Sequence, residues 1–396
     1  MHAGDTDVRV PEEPGDADAL LSRISSWVDT RYSVRKVLEH WGPDAARDAD
    51  TFLSDRANRR FLELHADMAE EGGPGERQHS WAAVETRREV VMCGPYYPDY
   101  GRGEHSEDRA VRQTEELLAT EGVRALGSDV FIFTRSSPCL DRDTQPCMLH
   151  LVEKALEWHA LYGVRTHIGY ARSWGFKGNK EALFREVDFQ QLECVGLSHD
   201  HDSYVEAMAK NCPEGNLGPL SKDLFGAVKR MLDAGSKGLR FSLKPATQEP
   251  NRKSCFKSVE SCVSECEEGG ASEEERKAET KEADAMAEAA QELVSEGTLQ
   301  NLREHVERGL TFARDYGFSS QTDETAGAEV RQAFVRGWRD MAEGRYAEVI
   351  RERLTDDFNR HVTHLFSQDV VKLDKEYIQI GRIRFSEGSL PSLEDR

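Results

Sequence analysis

The sequence predicts an α/β protein in which a mixed central sheet is sandwiched by helices and flanked by all-helical regions. Between Trp81 and Trp174, short apolar segments rich in β-branched residues alternate with helical ones, in the order strand, strand, helix, strand, helix, strand. Before and after this stretch, apolar residues recur at helical spacing. Together these observations predict a sheet-containing middle between two helical ends.

The N-terminal region is polar and helical in its pattern. From Ala19 to Glu70 the apolar side chains are spaced three or four positions apart, and the run ends in the turn-forming sequence GGPG at residues 72–75. We therefore expect a helical region over residues 1–75, followed by a boundary.

The predicted sheet lies within residues 76–246. Its strands are expected in the sequences SWAAVETRREVVMCGPYY, SDVFIFTRSS and GVRTHIGYARSW, with a further strand in GLRFSLKP. Helical stretches from Glu104 to Thr120 and from Cys147 to Tyr162 separate the later strands. This alternation predicts a single α/β domain.

The C-terminal part divides into two segments. Residues 247–285 combine low hydrophobicity with dense charge, which predicts a flexible acidic insert. Residues 286–396 show several amphipathic helical patterns and a possible late strand in EYIQIGRIRF. We expect a C-terminal helical region over residues 286–396, and both helical flanks together offer a docking surface for a protein partner.

Composition excludes an integral membrane protein. The chain of 396 residues has a formal charge of −21 and contains no apolar run near the roughly 20 residues of a bilayer span. Met1 to Val10 lacks the basic and apolar stretches of a secretory signal, and eight cysteines in so long a chain favour free or metal-bound thiols. These observations predict a reducing, cytoplasmic or nuclear setting.

The charge is distributed unevenly along the chain. Residues 76–245 are nearly neutral, so the flanks carry most of the negative charge. An acidic protein is unsuited to a large nucleic-acid interface, because phosphate binding depends on basic residues. A small nucleic-acid interface in the neutral middle remains compatible with this composition.

A histidine, a glutamate and two cysteines carry the candidate chemistry. A zinc ion that activates water needs about three nitrogen or thiolate ligands and an open fourth position. His105 and Glu107 stand at the start of a predicted helix, where the carboxylate can reach the same pocket without binding the metal. Cys139 follows the strand DVFIFTRSS, and Cys147 opens the next helix, where the dipole favours an ionised sulfur.

The stretch from Trp81 to Ala246 resembles the cytidine deaminase-like superfamily of zinc enzymes. Within it, FIFTRSSPC looks like the strand and Ser-Pro-Cys sequence of the AID/APOBEC polynucleotide cytosine deaminases, and VRTHIGYARSWGF is similar to their following strand. The spacing departs from that pattern, because seven residues separate the two cysteines where those enzymes have two to four.

The resemblance implies a role for each of these residues. His105, Cys139 and Cys147 would hold Zn²⁺, and Glu107 would be the catalytic acid and base. Ser137 would lie beside the substrate base, and Tyr170 or Trp174 would stack on it or on a neighbouring nucleotide. The implied reaction is hydrolytic deamination of cytosine to uracil, with single-stranded DNA or RNA as the substrate.

Other interpretations of these patterns stay open. Tyr96 and Tyr97 either belong to the core or line the mouth of the pocket as stacking surfaces. His199 and His201 suggest a second metal site or a polar loop before a helix. Three further cysteines are expected to face solvent, and they are Cys255, Cys262 and Cys266.

Three other functions compete with polynucleotide deamination. The first is deamination of a free pyrimidine nucleoside or nucleotide. The second is a catalytically inactive binding or regulatory protein that keeps the zinc fold, which the long spacing between the cysteines favours. The third is a helical scaffold in which the motif is incidental, and this function predicts no bound metal.

Overall fold

The protein is described here by a computed structural model. It describes residues 22, 24–40, 51–70, 77–86, 89–121, 128–142, 144–175, 184–185, 187–211, 218–235, 239–243, 273–295, 301–319, 324–373 and 377–385. These residues group into two compact units. The first comprises Met1–Leu183 and Thr355–Arg396, and the second comprises Phe184–Leu354.

The first unit contains a five-stranded mixed sheet. Its helices and strands, in chain order, are α1 (Thr30–His40), α2 (Asp55–Glu70), β1 (Ser80–Glu85), β2 (Val90–Tyr96), α3 (Ser106–Glu121), β3 (Asp129–Ser136), α4 (Cys147–Tyr162), β4 (Arg165–Arg172) and β5 (Ile378–Arg382). The strand order is β2-β1-β3-β4-β5. β1 runs antiparallel to both of its neighbours, while β3, β4 and β5 are parallel. The predicted fold class and the late strand are confirmed.

Both faces of the central strands are buried. Trp81 and Ala83 of β1 pair with Phe133 and Phe131 of β3, and all four join a core cluster with residues of α2. Because side chains alternate along a strand, Ala82 and Ile132 point to the other face, and they are buried too. Helix α3 contacts β1, β2 and β3, and α4 contacts β4 and β5. Because α3 and α4 pack against this buried sheet, the N-termini of both helices have fixed positions.

The second unit is helical in its described residues. It contains α5 (Phe189–Leu197), α6 (His201–Asn211), α7 (Lys222–Gly235), α8 (Glu273–Ser295), α9 (Leu302–Asp315) and the first part of α10 (Glu324–Leu373), whose later residues belong to the first unit. The sequence GLRFSLKP was expected to form a strand, but its described residues 239–243 contain none. None of the described helices combines the length and the apolar character that a bilayer crossing requires.

The acidic insert differs from the expectation in its later part. Residues 247–272 lie outside the described residues, whereas residues 273–285 belong to α8. That stretch is rich in alanine, glutamate, lysine and arginine, which are strong helix formers. Dense charge alone therefore did not identify flexible chain here. The division into four segments remains a prediction, and the two compact units group the chain differently.

Candidate active site

His105 and Glu107 lie at the N-terminus of α3. Glu107 and Asp108 occupy the first turn of this helix, where carboxylates interact favourably with the helix dipole. The Asp108 carboxylate accepts a hydrogen bond from the backbone N–H of His105 at 2.8 Å. This bond fixes the backbone of His105 directly before the helix begins.

The structure brings His105, Cys139 and Cys147 together. His105 Nδ1 lies 3.6 Å from Cys139 Sγ and 3.3 Å from Cys147 Sγ. The ligand atoms of all three residues lie within 4.8 Å of one another. Among the described residues, these three side chains form the group of His, Cys, Asp or Glu that could hold a metal ion. In a tetrahedral zinc site, nitrogen and sulfur ligands are separated by about 3.6 Å, given usual bond lengths. The donor set and its spacing therefore fit zinc.

The pKa values of the two thiols are shifted in opposite directions. Donation of a hydrogen bond from Cys147 lowers the pKa of Cys139 to about 5, and the nearby His105 imidazole contributes in the same direction. The same thiol–thiol bond, together with burial, raises the pKa of Cys147. The hydrogen bond with Cys139 also raises the pKa of His105. Cys139 is therefore the sulfur more readily ionised, and a divalent metal ion favours ionisation of both thiols.

Glu107 is a buried carboxylate held by hydroxyl groups. It is 4% exposed, and burial raises its pKa. Thr134 Oγ1 lies 3.0 Å from one carboxylate oxygen and 2.8 Å from the Ser136 carbonyl oxygen, so its single proton has two acceptors within reach. Ser106 Oγ donates to the other carboxylate oxygen at 3.0 Å. Ser80 Oγ lies 2.8 Å from Ser106 Oγ and extends the network into β1. The carboxylate is thus fixed in one orientation next to the cluster.

A cavity of about 290 Å³ opens beside these groups. Of the residues predicted from the sequence, His105, Glu107, Ser137, Cys139 and Trp174 line it. The remaining lining residues are Gln78, Pro98, Tyr100, Ser106, Ser136, Asp141, Arg142 and Arg172. A histidine, a cysteine and a carboxylate that share one small cavity can act on one bound group.

Ser137 holds the segment that carries Trp174. Its hydroxyl accepts a hydrogen bond from the backbone N–H of Trp174 at 2.7 Å. The next residue, Gly175, has φ of +56°, and a Cβ there would lie 2.5 Å from Asn359 Oδ1. Only glycine fits this turn without strain. The Arg172 guanidinium lies 5.7 Å from the centre of the Trp174 ring.

The structure does not bring Tyr96, Tyr97 or Tyr170 into the lining of this cavity. Tyr170 is 1% exposed and lies within β4, which is buried on both faces along this part of its length. Tyr96 and Tyr97 lie at and just after the end of β2, where Arg109 and Arg77 pack over their rings. The aromatic residues that reach the cavity are Trp174 and Tyr100.

Sequence reasoning missed several residues of the cavity. Tyr100 precedes His105 in the sequence YGRGEH, and its position just before the candidate ligand was an available signal. Gln78 comes before β1, and its side-chain amide donates to Thr134 Oγ1 at 3.2 Å. Arg142 stands between the two cysteines. Their participation depends on chain segments that meet only in the folded protein.

His199 and His201, the second candidate metal site, make contacts that do not involve a metal site. His201 Nε2 lies 3.0 Å from the carbonyl oxygen of Leu220, and the His201 ring packs near Tyr204 and Phe225. His199 is exposed. Within the described part of the chain, neither histidine belongs to a group that could hold a metal ion. Cys255, Cys262 and Cys266 lie outside the described residues.

A His-Cys-Cys cluster with a glutamate two residues after the histidine is typical of zinc-dependent deaminases. The chain belongs to the family described as Secreted Novel AID/APOBEC-like Deaminase 3, whose family model matches residues 6–380. No curated protein and no solved structure matches the chain. The resemblance drawn from residues 81–246 is thereby confirmed, and the match extends over nearly the whole chain.

The family description also corrects the predicted location. It names a secreted deaminase, so the prediction of a cytoplasmic or nuclear protein is wrong. That prediction rested on the first ten residues and on the number of cysteines. The number of cysteines does not exclude export, because cysteines can serve as zinc ligands and need not be free thiols of a reducing compartment.

Proposed function

We propose that this protein is a zinc-dependent hydrolytic deaminase that acts on cytosine in single-stranded DNA or RNA. The observation that carries the proposal is the convergence of His105 Nδ1 and the sulfurs of Cys139 and Cys147 beside the buried carboxylate of Glu107. Three protein ligands with an adjacent carboxylate are the arrangement that amine hydrolysis requires.

The residues of the chain would divide the reaction between them. His105, Cys139 and Cys147 would hold the ion, and bound zinc supplies Lewis acidity that lowers the pKa of water to about 7. Glu107 would take a proton from the water that attacks C4 of cytosine. It would then deliver that proton to the exocyclic amine, which leaves as ammonia while the ring becomes uracil.

The cavity suits a single base. Its volume of about 290 Å³ lies just below the roughly 300–1,000 Å³ typical of small-molecule sites. Trp174 offers an aromatic face in its lining, and the exposed Arg172 offers a cation for a phosphate. These two side chains favour a substrate that carries a phosphate over a free base or nucleoside.

Two other functions depend on specific features of the site. A free nucleoside or nucleotide would also fit a cavity of this size. An inactive binding protein was favoured by the long spacing between the cysteines. Its support is weaker now, because both sulfurs lie within 3.6 Å of His105 Nδ1 despite that spacing.

Metal analysis combined with a panel of substrates tests the proposal. The purified protein should contain one zinc per chain and release ammonia from a cytosine-containing single-stranded oligonucleotide. Cys139→Ser should lose zinc and activity. Cys93→Ser is the matched control, because Cys93 donates to the Ala82 carbonyl in the sheet and does not line the cavity.

Each other outcome selects a different function. Activity on cytidine or dCMP alone would replace the polynucleotide substrate with a monomer. One zinc without deamination of any tested substrate would support the binding protein. A protein that takes up no zinc under any condition would overturn the proposal.

A further inference from the structure

The seven residues between Cys139 and Cys147 must fold back so that both sulfurs reach His105. At the two ends of this loop, the backbone N–H of Met148 donates to the carbonyl of Cys139 at 3.0 Å, and the backbone N–H of Cys147 lies 3.5 Å from Cys139 Sγ. The backbone N–H of Leu140 donates to the Gly175 carbonyl at 3.1 Å. These bonds close the ends of the loop but leave its middle to be held by other contacts.

Arg142 holds the middle of the loop against the N-terminus of α3. Its two terminal nitrogens lie 3.0 and 2.9 Å from the two carboxylate oxygens of Asp108, which is a bidentate ion pair. The same guanidinium donates to the carbonyl of Gly103 and lies 3.7 Å from Cys147 Sγ. The Arg142 side chain is only 14% exposed.

Asp108 joins this arginine to the histidine ligand. Asp108 Oδ2, one of the two oxygens that contact Arg142, also accepts a hydrogen bond from the backbone N–H of His105 at 2.8 Å. A single carboxylate therefore connects the backbone of His105 to the loop that carries both cysteines. The connection runs from His105 through Asp108 and Arg142 to the sulfur of Cys147.

We propose that Arg142 and Asp108 are positioning residues of the candidate metal centre, which make the long spacing between the cysteines compatible with a three-ligand site. This inference rests on the proposed zinc site. The planar guanidinium suits the role because it can bind a carboxylate through two parallel bonds and still reach a carbonyl and a sulfur. A lysine ammonium keeps the charge but loses the paired geometry.

Zinc affinity, measured by competition with a chromogenic chelator, tests the inference in the full-length protein. Partners that orient metal ligands typically contribute 10- to 100-fold in metal affinity. We expect Arg142→Met to weaken zinc binding by about that factor, and Arg142→Lys and Asp108→Asn to weaken it less. Arg102→Met is the matched control, because this nearby arginine is 81% exposed and pairs only loosely with Asp99 at 3.6 Å.

A double-mutant cycle separates positioning from a general loss of charge. If Arg142 and Asp108 act as a pair, then Arg142→Met combined with Asp108→Asn should bind zinc about as weakly as Arg142→Met alone. Cobalt substituted for zinc provides a spectroscopic readout, because the sulfur-to-cobalt absorption should shift in Arg142→Met and stay unchanged in Arg102→Met. Far-UV circular dichroism establishes that each variant is folded, and if Arg142→Met is not, Arg142→Lys and Asp108→Asn decide the question.

The possible failures are distinguishable. Wild-type protein that binds no zinc would remove the proposed metal site itself. Wild-type protein that binds zinc while the Arg142 and Asp108 variants bind it equally well would overturn only the positioning role. Additive losses in the double-mutant cycle would also overturn it, since independent residues do not form a connection.

Discussion

The hydroxyl oxygen of Thr134 lies within hydrogen-bond distance, at 3.0 Å, of a carboxylate oxygen of Glu107, and this contact joins the end of β3 to the first turn of α3. The residue that would move protons is thereby oriented by the sheet as well as by its own helix. Each partner in this bond can be removed without a large change in side-chain volume, which makes the pair a direct test of how the site works.

Replacement of the carboxylate should stop catalysis and spare the metal. We expect Glu107→Gln to reduce the rate of deamination at least about 100-fold, because an amide cannot accept and return the proton. Zinc content, measured by elemental analysis, should stay at one per chain, since the proposed ligands are His105, Cys139 and Cys147. A variant that loses the metal would show that Glu107 is itself a ligand.

Removal of the orienting hydroxyl should have a smaller effect. Thr134→Val removes the hydroxyl that contacts both a carboxylate oxygen of Glu107 and the Ser136 carbonyl, and a hydrogen bond to a charged group contributes about 1.5–3 kcal/mol. We expect a fall in kcat of about tenfold or more with little change in KM.

Thr114→Val is the matched control for this change. Thr114 is equally buried, and its hydroxyl donates to the Ala110 carbonyl within α3, away from Glu107. Equal losses of kcat in the two variants would mean that the effect comes from a disturbed core and not from the orientation of Glu107.

Trp174 should contribute to substrate affinity. Trp174→Ala removes the ring but keeps the backbone N–H that donates to Ser137, so the turn should stay in place. Stacking of one base on an aromatic side chain contributes about 1–3 kcal/mol, which predicts a KM for an oligonucleotide raised about 5- to 150-fold. Tyr97→Ala is the control, because Tyr97 does not line the cavity. A rise in KM with Tyr97→Ala alone would place the stacking surface at the end of β2.

Local patterns allowed much of the fold and the candidate ligands to be predicted. Alternation of apolar residues revealed the strands, and the sequences around His105 and Cys147 marked two helix starts. Such signals depend on near neighbours in the chain. The pairing of β5 with β4 was not predictable, because these strands are separated by about half of the chain. Neither strand sequence contains a signal that identifies the neighbouring strand.

The contribution of side chains to the cavity was harder to predict. Tyr170 and Trp174 stand close together in one sequence, yet Tyr170 is buried within β4 while Trp174 lies beyond its end and lines the cavity. The exact end of a strand decides such cases, and sequence patterns define it poorly. The contact between Arg142 and Asp108 was equally hidden, since it joins a loop to a helix 34 residues earlier.

Acid should destabilise the first unit through the half-buried His65 and the buried His79. The His65 ring packs 5.1 Å from that of Phe133 and 5.5 Å from that of Phe385, and burial, followed by the charge of Arg135, lowers its pKa below the usual 6.5. Burial lowers the pKa of His79 in the same way. The unfolded chain therefore binds protons at these sites at a higher pH than the folded protein does.

The sign of the effect follows from this difference. The stability that the neutral His65 contributes is fully present above pH 6.5 and is lost as the pH falls below that value, at up to about 1.4 kcal/mol per pH unit. We expect His65→Phe, which preserves an aromatic ring in the core, to lose less stability than wild type between pH 7.5 and pH 5.5. Urea unfolding followed by tryptophan fluorescence measures the difference. Between pH 7.5 and pH 9 the histidine is neutral in both states, so the two proteins should change equally there. An equal loss of stability in acid would show that His65 is not responsible.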